Sequence, residues 1–189
     1  MDRRITFASA DFVLYRDYHD TEWGRPLRHS GALFERISLE AFQSGLSWLI
    51  ILRKRDNFRR AFDGFDVERV ARYTDRDVDR LMADTGIVRN RAKIDATIAN
   101  ARAAAELDVD LAELLWSFAP EARPRPVDMA HAPAVTPEST AMAKELKRRG
   151  FRFVGPTTAY ALMQATGMVD DHTADCWVPV PGQAPDRRP

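Results

Sequence analysis

The feature that most constrains the fold is the spacing of apolar residues, which recur at three- and four-residue intervals and never alternate convincingly with a period of two. Such spacing places apolar side chains on one face of an α-helix, whereas a half-buried strand needs strict alternation. Residues 30–62 follow this pattern, and Gly45 interrupts it, so we expect two helices there. Their apolar positions are Leu33, Phe34, Ile37, Leu39, Leu46, Leu49 and Ile50. The fold class predicted is all-α.

Further helices are predicted along the rest of the chain. Short ones cover residues 66–74 and 75–84, the second capped by Asp75, and a break follows at Thr85–Gly86. An alanine-rich helix extends from Arg89 to residue 107. The proline-rich segment 119–138 is an extended connection. The last two helices are Ser139–Arg149, ended by Gly150, and one capped by Thr157 or Thr158 that ends near Gly167. Residues 178–189 are expected to form a mobile tail.

Composition excludes several classes of protein. A chain of 189 residues with 45% hydrophobic residues is long enough for one globular domain, which we expect to span residues 1–189. Equal numbers of basic and acidic residues, 28 of each, argue against binding nucleic acid by bulk charge alone. One cysteine excludes an internal disulfide, and no signal peptide or membrane span is recognisable. We expect a cytoplasmic monomer that does not bind membranes.

Residues 75–107 have the pattern of a helical hairpin whose turn is Gly86, Ile87 and Val88. Such a turn can point backbone amides at a phosphate, with Arg89, Arg91 and Lys93 adding charge at the start of the next helix. The local pattern fits an ordinary helix corner with solvated arginines equally well. Two basic stretches with interleaved aromatics, 52–60 and 144–153, fit either a nucleic-acid surface or solvated helix faces.

Glu40 interrupts an otherwise apolar helix. A buried carboxylate is unfavourable unless it meets a cation or several donors. Trp48 lies about two helical turns further on, and Tyr18 comes from an earlier segment, so both rings could line the same pocket. A carboxylate beside aromatic rings is a receptor for a flat, cationic base. The alternative is a partly exposed glutamate and two core aromatics.

The segment DHTADCW places His172 four residues before Cys176. On one helical turn, that spacing lets an imidazole and a thiolate reach one metal ion. The two residues would form half of a zinc site.

Several motifs together resemble the DNA-3-methyladenine glycosylase I family. They are YHDTEWGRPL (18–27), LEAFQSGLSWLIILRKRDNFRRAF (39–62), GIVRNRAKI (86–94), LWSF (115–118) and LKRRGFRFVGPTTAYALMQATGMVDDH (146–172). The similarity extends over residues 15–176. It implies an all-helical helix-hairpin-helix DNA glycosylase fold with the N- and C-terminal segments packed together. It also implies excision of 3-methyladenine from damaged double-stranded DNA, which leaves an abasic site and the free base.

The resemblance assigns roles to individual residues. Glu40 would be the catalytic carboxylate that recognises the base, and Tyr18, Trp48 and Tyr15 would line its pocket. Gly86, Val88, Arg89, Arg91 and Lys93 fall in the hairpin that would hold the DNA backbone. Other members of the superfamily use an aspartate after the hairpin, where this chain has Asp108 and Asp110. We expect both aspartates to be structural.

A zinc ion in the resembled family joins the two ends of the chain, and three of its four ligands correspond to His19, His172 and Cys176. The N-terminal cysteine is absent, with Ile5 or Thr6 near its position and Phe7 replacing a neighbouring aromatic. A closed structural zinc site has four ligands. The sequence therefore leaves open a three-ligand zinc site or no metal.

Two alternatives to an active 3-methyladenine glycosylase stay open. One is a non-catalytic protein that binds the lesion, and the other is a glycosylase with a different range of alkylated purines. Base release from alkylated DNA distinguishes the first, and comparison of N3- with N7-methylated purines distinguishes the second.

Overall fold

The computed structural model describes residues 10–180, which form nine α-helices and one 3₁₀ turn with no β-strand. The all-α prediction is therefore confirmed for this part of the chain. The helices are α1 (Ala10–Thr21), α2 (Ser30–Gln43), α3 (Trp48–Ala61), α4 (Val67–Ala71), α5 (Asp75–Ala83), α6 (Arg91–Ala105), α7 (Leu111–Trp116), α8 (Pro137–Arg148) and α9 (Pro156–Ala165). The 3₁₀ turn, Asp63–Phe65, joins α3 to α4. None of these helices is long and apolar enough to cross a membrane.

Capping residues set several helix ends, and two of them differ from expectation. Helix α5 is capped by Thr74, in a capping box with Asp77, so Asp75 is the first helical residue and not the cap. Helix α9 begins with Pro156 after Gly155, so neither Thr157 nor Thr158 caps it. Proline suits a first helical position because its missing N–H has no intrahelical partner there.

Helix α2 is the centre of the core. It packs against α3, α6, α7 and α9, while α4 packs on α6 and α8 on α9. Phe34, Phe42, Phe58, Phe62 and Phe65 are almost completely buried, and neighbouring rings in this group lie within contact distance. Because α2 is buried along most of its length, the polar side chains of Arg36, Ser38 and Glu40 are taken out of water.

The segment after α1 packs against the C-terminal segment, which confirms the predicted packing among described residues. The Leu27 amide donates to the Thr166 carbonyl at 3.0 Å. Gly167 has φ +70°, and a Cβ there would lie 2.6 Å from the Arg25 carbonyl carbon, so only glycine fits. A Cβ on Gly24 would lie 2.6 Å from the His172 ring. The two segments thus meet backbone to backbone.

The proline-rich connection is held by ion pairs to the C-terminal segment. Arg123 pairs with buried Asp171 at 2.7 Å, and Arg125 pairs with Asp170 at 2.8 Å. Val178, which the sequence places in a mobile tail, is buried. The rest of that tail from residue 181, and Ile5, Thr6 and Phe7, lie outside the described residues.

Candidate active site

Glu40 lies on the buried face of α2 and is only 5% exposed. Within residues 10–180 its carboxylate forms no hydrogen bond or ion pair. Burial raises its pKa to about 7, against a smaller opposing effect of the Arg36 charge. A carboxyl group held in this way has its acceptor oxygens free for a ligand, and a cationic ligand would favour its ionised form.

Tyr18 and Trp48 form one aromatic wall beside this carboxylate. Their ring centroids are 5.3 Å apart with an interplanar angle of 45°. A flat base inserted between two parallel rings needs about 7 Å, twice the usual carbon–carbon contact distance. A base therefore does not fit between these rings as they stand, and would stack on the wall they form together.

Two further polar groups belong to this wall. The indole Nε1 of Trp48 is buried without a hydrogen-bond partner in the described part of the chain, so it is a donor available to a ligand. Tyr15, on α1, is 40% exposed and marks the solvent side of the site. Burial and the Glu40 charge raise the pKa of Tyr15, which places the phenol within the electrostatic reach of that carboxylate.

Arg36 is a pocket residue that the sequence reasoning missed. It lies one helical turn before Glu40 and is 8% exposed. Its Nη1 donates to the Tyr18 hydroxyl at 2.8 Å, and its guanidinium carbon lies 5.2 Å and 5.4 Å from the Tyr18 and Trp48 ring centroids. The criterion that identified Glu40, a charged residue inside an apolar helix, identifies Arg36 as well.

The Arg36 guanidinium is anchored from outside the pocket by Glu22. The Arg36 Nη2 and Glu22 Oε2 atoms are 3.5 Å apart, and Arg55 holds Glu22 with two contacts of 2.5 and 2.8 Å. Partial burial alone would raise the pKa of Glu22, but the nearby charges of Arg55, Arg36 and Arg59 together lower it. The anchor fixes a buried cation beside the aromatic wall.

The turn between α5 and α6 is held by side chains from α3. Lys54 and Asn57 both donate to the Gly86 carbonyl at 3.2 Å, and the Gly86 amide donates to Asp84 Oδ1 at 2.7 Å. A Cβ on Gly86 would lie 2.9 Å from that carboxylate oxygen and 3.1 Å from Asn57. Gly86 is not among the glycines with positive φ, so close packing, and not a backbone conformation special to glycine, constrains this position.

The turn leaves backbone donors at its end. In the described part of the chain the amides of Val88 and Arg89 donate to no acceptor, and the Arg89 side chain is exposed. Arg91 pairs with Asp79 at 3.1 Å on the surface, where such a pair is weak. These groups remain available to an anion.

Lys93 occupies a different position from the one expected. Its ammonium donates to the Phe42 and Ser44 carbonyls at 2.9 and 2.5 Å, and the residue is 8% exposed. These carbonyls lie at the C-terminal end of α2, where a cation also interacts favourably with the negative end of the helix dipole. Lys93 therefore holds α6 to α2 and is not free for a phosphate, so we remove it from the expected DNA contacts.

His19, His172 and Cys176 come together although the last two do not share a helix. Their potential ligand atoms all lie within 4.8 Å of one another, and the Cys176 sulfur is 3.7 Å from His19 Nε2. Residues 171–177 form an irregular turn, so the helical turn assumed from their spacing is wrong.

The ring nitrogens of this cluster are oriented for a metal. Each histidine places Nδ1 on an aspartate, His19 on Asp20 at 2.8 Å and His172 on Asp170 at 2.7 Å. Because each aspartate holds Nδ1, the ring's Nε2 is left for a metal. The His172 Nε2 is buried and has no hydrogen-bond partner in the described residues. Burial also lowers the pKa of this ring, and a lower pKa favours the neutral form that binds metals. The donor set fits zinc.

Asp108 and Asp110 have structural contacts. Asp108 pairs with Arg149 at 2.5 Å on the surface, and this hydrogen bond lowers its pKa. Asp110 caps α7 by accepting from the Ala112 and Glu113 amides. Neither is perturbed in the direction that a general base near neutral pH requires.

Within residues 10–180 the chain is all-helical and buries an unpaired carboxylate beside an aromatic wall, an arrangement that suits a flat, cationic ring. Comparison with known proteins agrees with that description. A family profile described as "Methyladenine glycosylase" matches residues 9–179. The chain therefore belongs to the methyladenine glycosylase family.

Individual relatives are similar over nearly their whole length. The DNA-3-methyladenine glycosylase 1 of Escherichia coli (strain K12) is 44% identical over 178 residues, which are 91% of this chain and 94% of the relative. A crystal structure of a 3-methyladenine DNA glycosylase I has a TM-score of 0.84 at 46% identity, covering 86% of this chain and 92% of the other. Another crystal structure, of a variant of such an enzyme in complex with 3-methyladenine, has a TM-score of 0.82 at 35% identity, covering 86% and 90%.

Proposed function

We propose that the protein is a DNA repair glycosylase that excises 3-methyladenine from alkylated DNA by hydrolysing the bond between base and deoxyribose. The observation that carries this proposal is the buried, unpaired Glu40 carboxylate beside the Tyr18–Trp48 wall. Membership of the family and the relative that binds 3-methyladenine support it.

The chemistry asks more of recognition than of acid–base catalysis. A base methylated at N3 while still attached to deoxyribose carries a fixed positive charge. When the glycosidic bond breaks, its electron pair moves to the base, which leaves as neutral 3-methyladenine, and water adds to the sugar cation with loss of one proton to the solvent. Glu40 in its ionised form binds the cation, and the aromatic wall supports its face. The nucleotide must leave the DNA stack to reach this buried group.

We assign DNA-backbone binding to the α5–α6 turn, as a helix-hairpin-helix element. The free amides of Val88 and Arg89 supply hydrogen bonds to a phosphate, and the Arg89 and Arg91 side chains add charge. Gly86 contributes by allowing the tight packing against Asn57 that sets the turn. These contacts read no sequence, which suits an enzyme that searches for damage.

We further propose that His19, His172 and Cys176 hold a structural zinc ion. When bound, zinc would join α1 to the C-terminal segment by ligation and take no part in base release. The unpartnered His172 Nε2 and the carboxylates on both Nδ1 atoms support this assignment. A fourth ligand from water or a nearby carboxylate would complete the site.

Single-turnover release of 3-methyladenine from alkylated duplex DNA tests the function. Glu40→Gln removes the charge with little change of shape. We expect release to fall roughly ten- to a hundredfold, because losing one charge-assisted hydrogen bond in a dry pocket costs about 1.5–3 kcal/mol. Asp108→Asn, the matched control, leaves release close to the wild-type rate.

Other outcomes lead to different conclusions. A silent Glu40→Gln beside an inactive Asp108→Asn would overturn the site assignment in favour of an aspartate-driven mechanism. Wild-type protein that binds alkylated DNA without base release would be a lesion-binding protein. Faster release of N7- than of N3-methylated purines would indicate a different substrate range.

A further inference from the structure

Arg36 raises a problem for the recognition of a cation, because it places a positive charge inside the pocket that would receive one. In the described residues, two helices bring titratable groups to the Glu40 carboxyl, and the segment after α1 places Glu22 against Arg36. Helix α1 brings Tyr15 and Tyr18, and α2 brings Arg36. Arg36 is the one cation among these groups.

The hydrogen bond from Arg36 determines what Tyr18 can donate. A guanidinium has donors only, so the Tyr18 oxygen must be the acceptor of this 2.8 Å contact. The Tyr18 hydroxyl proton is therefore not used on Arg36, and no other acceptor contacts it within residues 10–180. The phenol is left as a donor next to Glu40, which in its ionised form is an acceptor only.

The Arg36 charge acts on Glu40 without pairing with it. No nitrogen of Arg36 lies within ion-pair distance of the Glu40 carboxylate, since the guanidinium is turned toward Tyr18 and Glu22. It nevertheless opposes the effect of burial on the Glu40 carboxyl. The carboxylate keeps both oxygens for a ligand while a nearby cation favours its ionised form.

We infer that Arg36 is a positioning residue of the base pocket. Arg36 leaves the Tyr18 hydroxyl as a donor and favours the Glu40 carboxylate as an acceptor. This pair would bind the two kinds of polar group on the edge of an adenine ring. That edge carries an amino donor beside a ring-nitrogen acceptor, so it matches one acceptor and one donor held side by side. This inference rests on the proposed function only for the identity of the ring.

The first measurement needs no DNA and reads the charge effect directly. The ¹³C resonance of the Glu40 carboxyl, assigned by its loss in Glu40→Gln, is titrated in wild-type protein, Arg36→Met, Arg36→Lys and Arg59→Met. We expect Arg36→Met to raise the midpoint by about one pH unit or more, because a cation within several ångströms is lost. Arg36→Lys keeps the positive charge, so the midpoint of its Glu40 titration should stay near the wild-type value.

Arg59→Met is the matched control, since Arg59 joins α3 to α2 through Glu35 and contacts neither aromatic ring of the wall. Its midpoint should equal the wild-type one. An unchanged midpoint in Arg36→Met, or an equal rise in Arg59→Met, would overturn the charge role of Arg36.

The second measurement is single-turnover base release from alkylated duplex at a pH above all these midpoints. We expect Arg36→Met and Arg36→Lys each to lose about tenfold, because neither side chain reproduces the planar contact that orders Tyr18. In a Tyr18→Phe background the same changes should have little further effect. Full additivity with Tyr18→Phe would refute the positioning role.

The two measurements separate this inference from the proposed function. Wild-type protein that releases no base at any pH would contradict the function, while the carboxyl titration would still decide whether Arg36 acts on Glu40. If Arg36→Met does not fold, Arg36→Lys decides: wild-type release by this variant contradicts the inference, and a tenfold loss with an unshifted midpoint supports it.

Discussion

Glu40 is an acceptor group that the fold holds away from water at the expense of stability. In the folded chain its pKa is about 7, against 4.5 for an ordinary glutamate. Between these two values the folded state holds a proton that the unfolded state has released. Stability therefore falls as pH rises through this window, and the penalty is complete above about pH 7.

Replacing Glu40 by glutamine should remove this pH-dependent penalty. We expect Glu40→Gln to be more stable than wild type by an amount that grows between about pH 4.5 and 7 and then stays constant. The difference should reach on the order of 3 kcal/mol, from about 1.4 kcal/mol for each pH unit between the two pKa values. Urea denaturation of both proteins at pH 5, 6, 7 and 8 measures it.

Exposed Glu68 provides the control, because its side chain is 71% exposed and pairs only loosely with Arg72. The Glu68→Gln variant should follow wild type across the pH range. An advantage of Glu40→Gln that is the same at pH 5 and pH 8 would contradict the assigned burial penalty.

Helix α6 has two cationic residues near its start with opposite functions. Lys93 faces inward and donates to the carbonyls that end α2, whereas Arg89 faces solvent beside the free amides of the turn. Arg89 precedes α6, which begins at Arg91, so the four-residue spacing does not put it on the face from which Lys93 points inward. Stability and DNA binding should therefore respond to different substitutions.

Two matched variants test this division. Lys93→Met should lose about 1–3 kcal/mol of stability, because buried carbonyls lose their donor, with little change in the salt dependence of DNA affinity. Arg89→Met should change the free energy of unfolding by no more than about 0.5 kcal/mol. It should reduce by about one the slope of log affinity for undamaged duplex against log salt concentration. Urea denaturation and binding titrations at several salt concentrations measure both quantities.

The opposite pattern would contradict the assignment. If Lys93→Met reduced the salt slope while stability stayed unchanged, its ammonium would contact DNA. The contacts to the Phe42 and Ser44 carbonyls would then not persist in solution.

At the scale of the whole molecule, the cluster of His19, His172 and Cys176 lies where the two ends of the described chain meet. His19 comes from α1, and His172 and Cys176 come from the segment that Arg125 and Asp170 fasten to the proline-rich connection. Metal ligation here would close a loop that contains most of the chain. Loop closure of this length stabilises mainly by restricting the unfolded state.

We expect purified protein to contain zinc at less than one ion per chain, because the N-terminal cysteine of the resembled family is absent. Cys176→Ala and His19→Ala should lower the zinc content further, and a chelator should lower the melting temperature of wild-type protein. Elemental analysis and thermal denaturation measure both.

His131→Ala is the control for these variants, since the His131 side chain is 71% exposed and lies outside the cluster. It should leave zinc content and melting temperature unchanged. Full, chelator-resistant zinc in Cys176→Ala would exclude the assigned ligand set.

Local information in the sequence predicted most of the helices. The three- and four-residue apolar spacing identified α2 and α3, and glycines marked the break after α2 and the ends of α8 and α9. Helix starts were less predictable: Thr74 and Gly155 cap where Asp75 and a threonine were expected. Several residues near a helix start can each act as a cap, and the choice depends on packing.

The sequence by itself determined the helical class, because that depends on residue type and short spacing, and its long motifs identified the family. It singled out Glu40 but left its burial open. Tertiary structure decided which side chains meet. Arg36 contacts Tyr18 from 18 positions away, and Lys93 reaches α2 from about 50 positions away. Helix packing creates such contacts, and they determine whether a charged side chain binds a ligand or joins two helices.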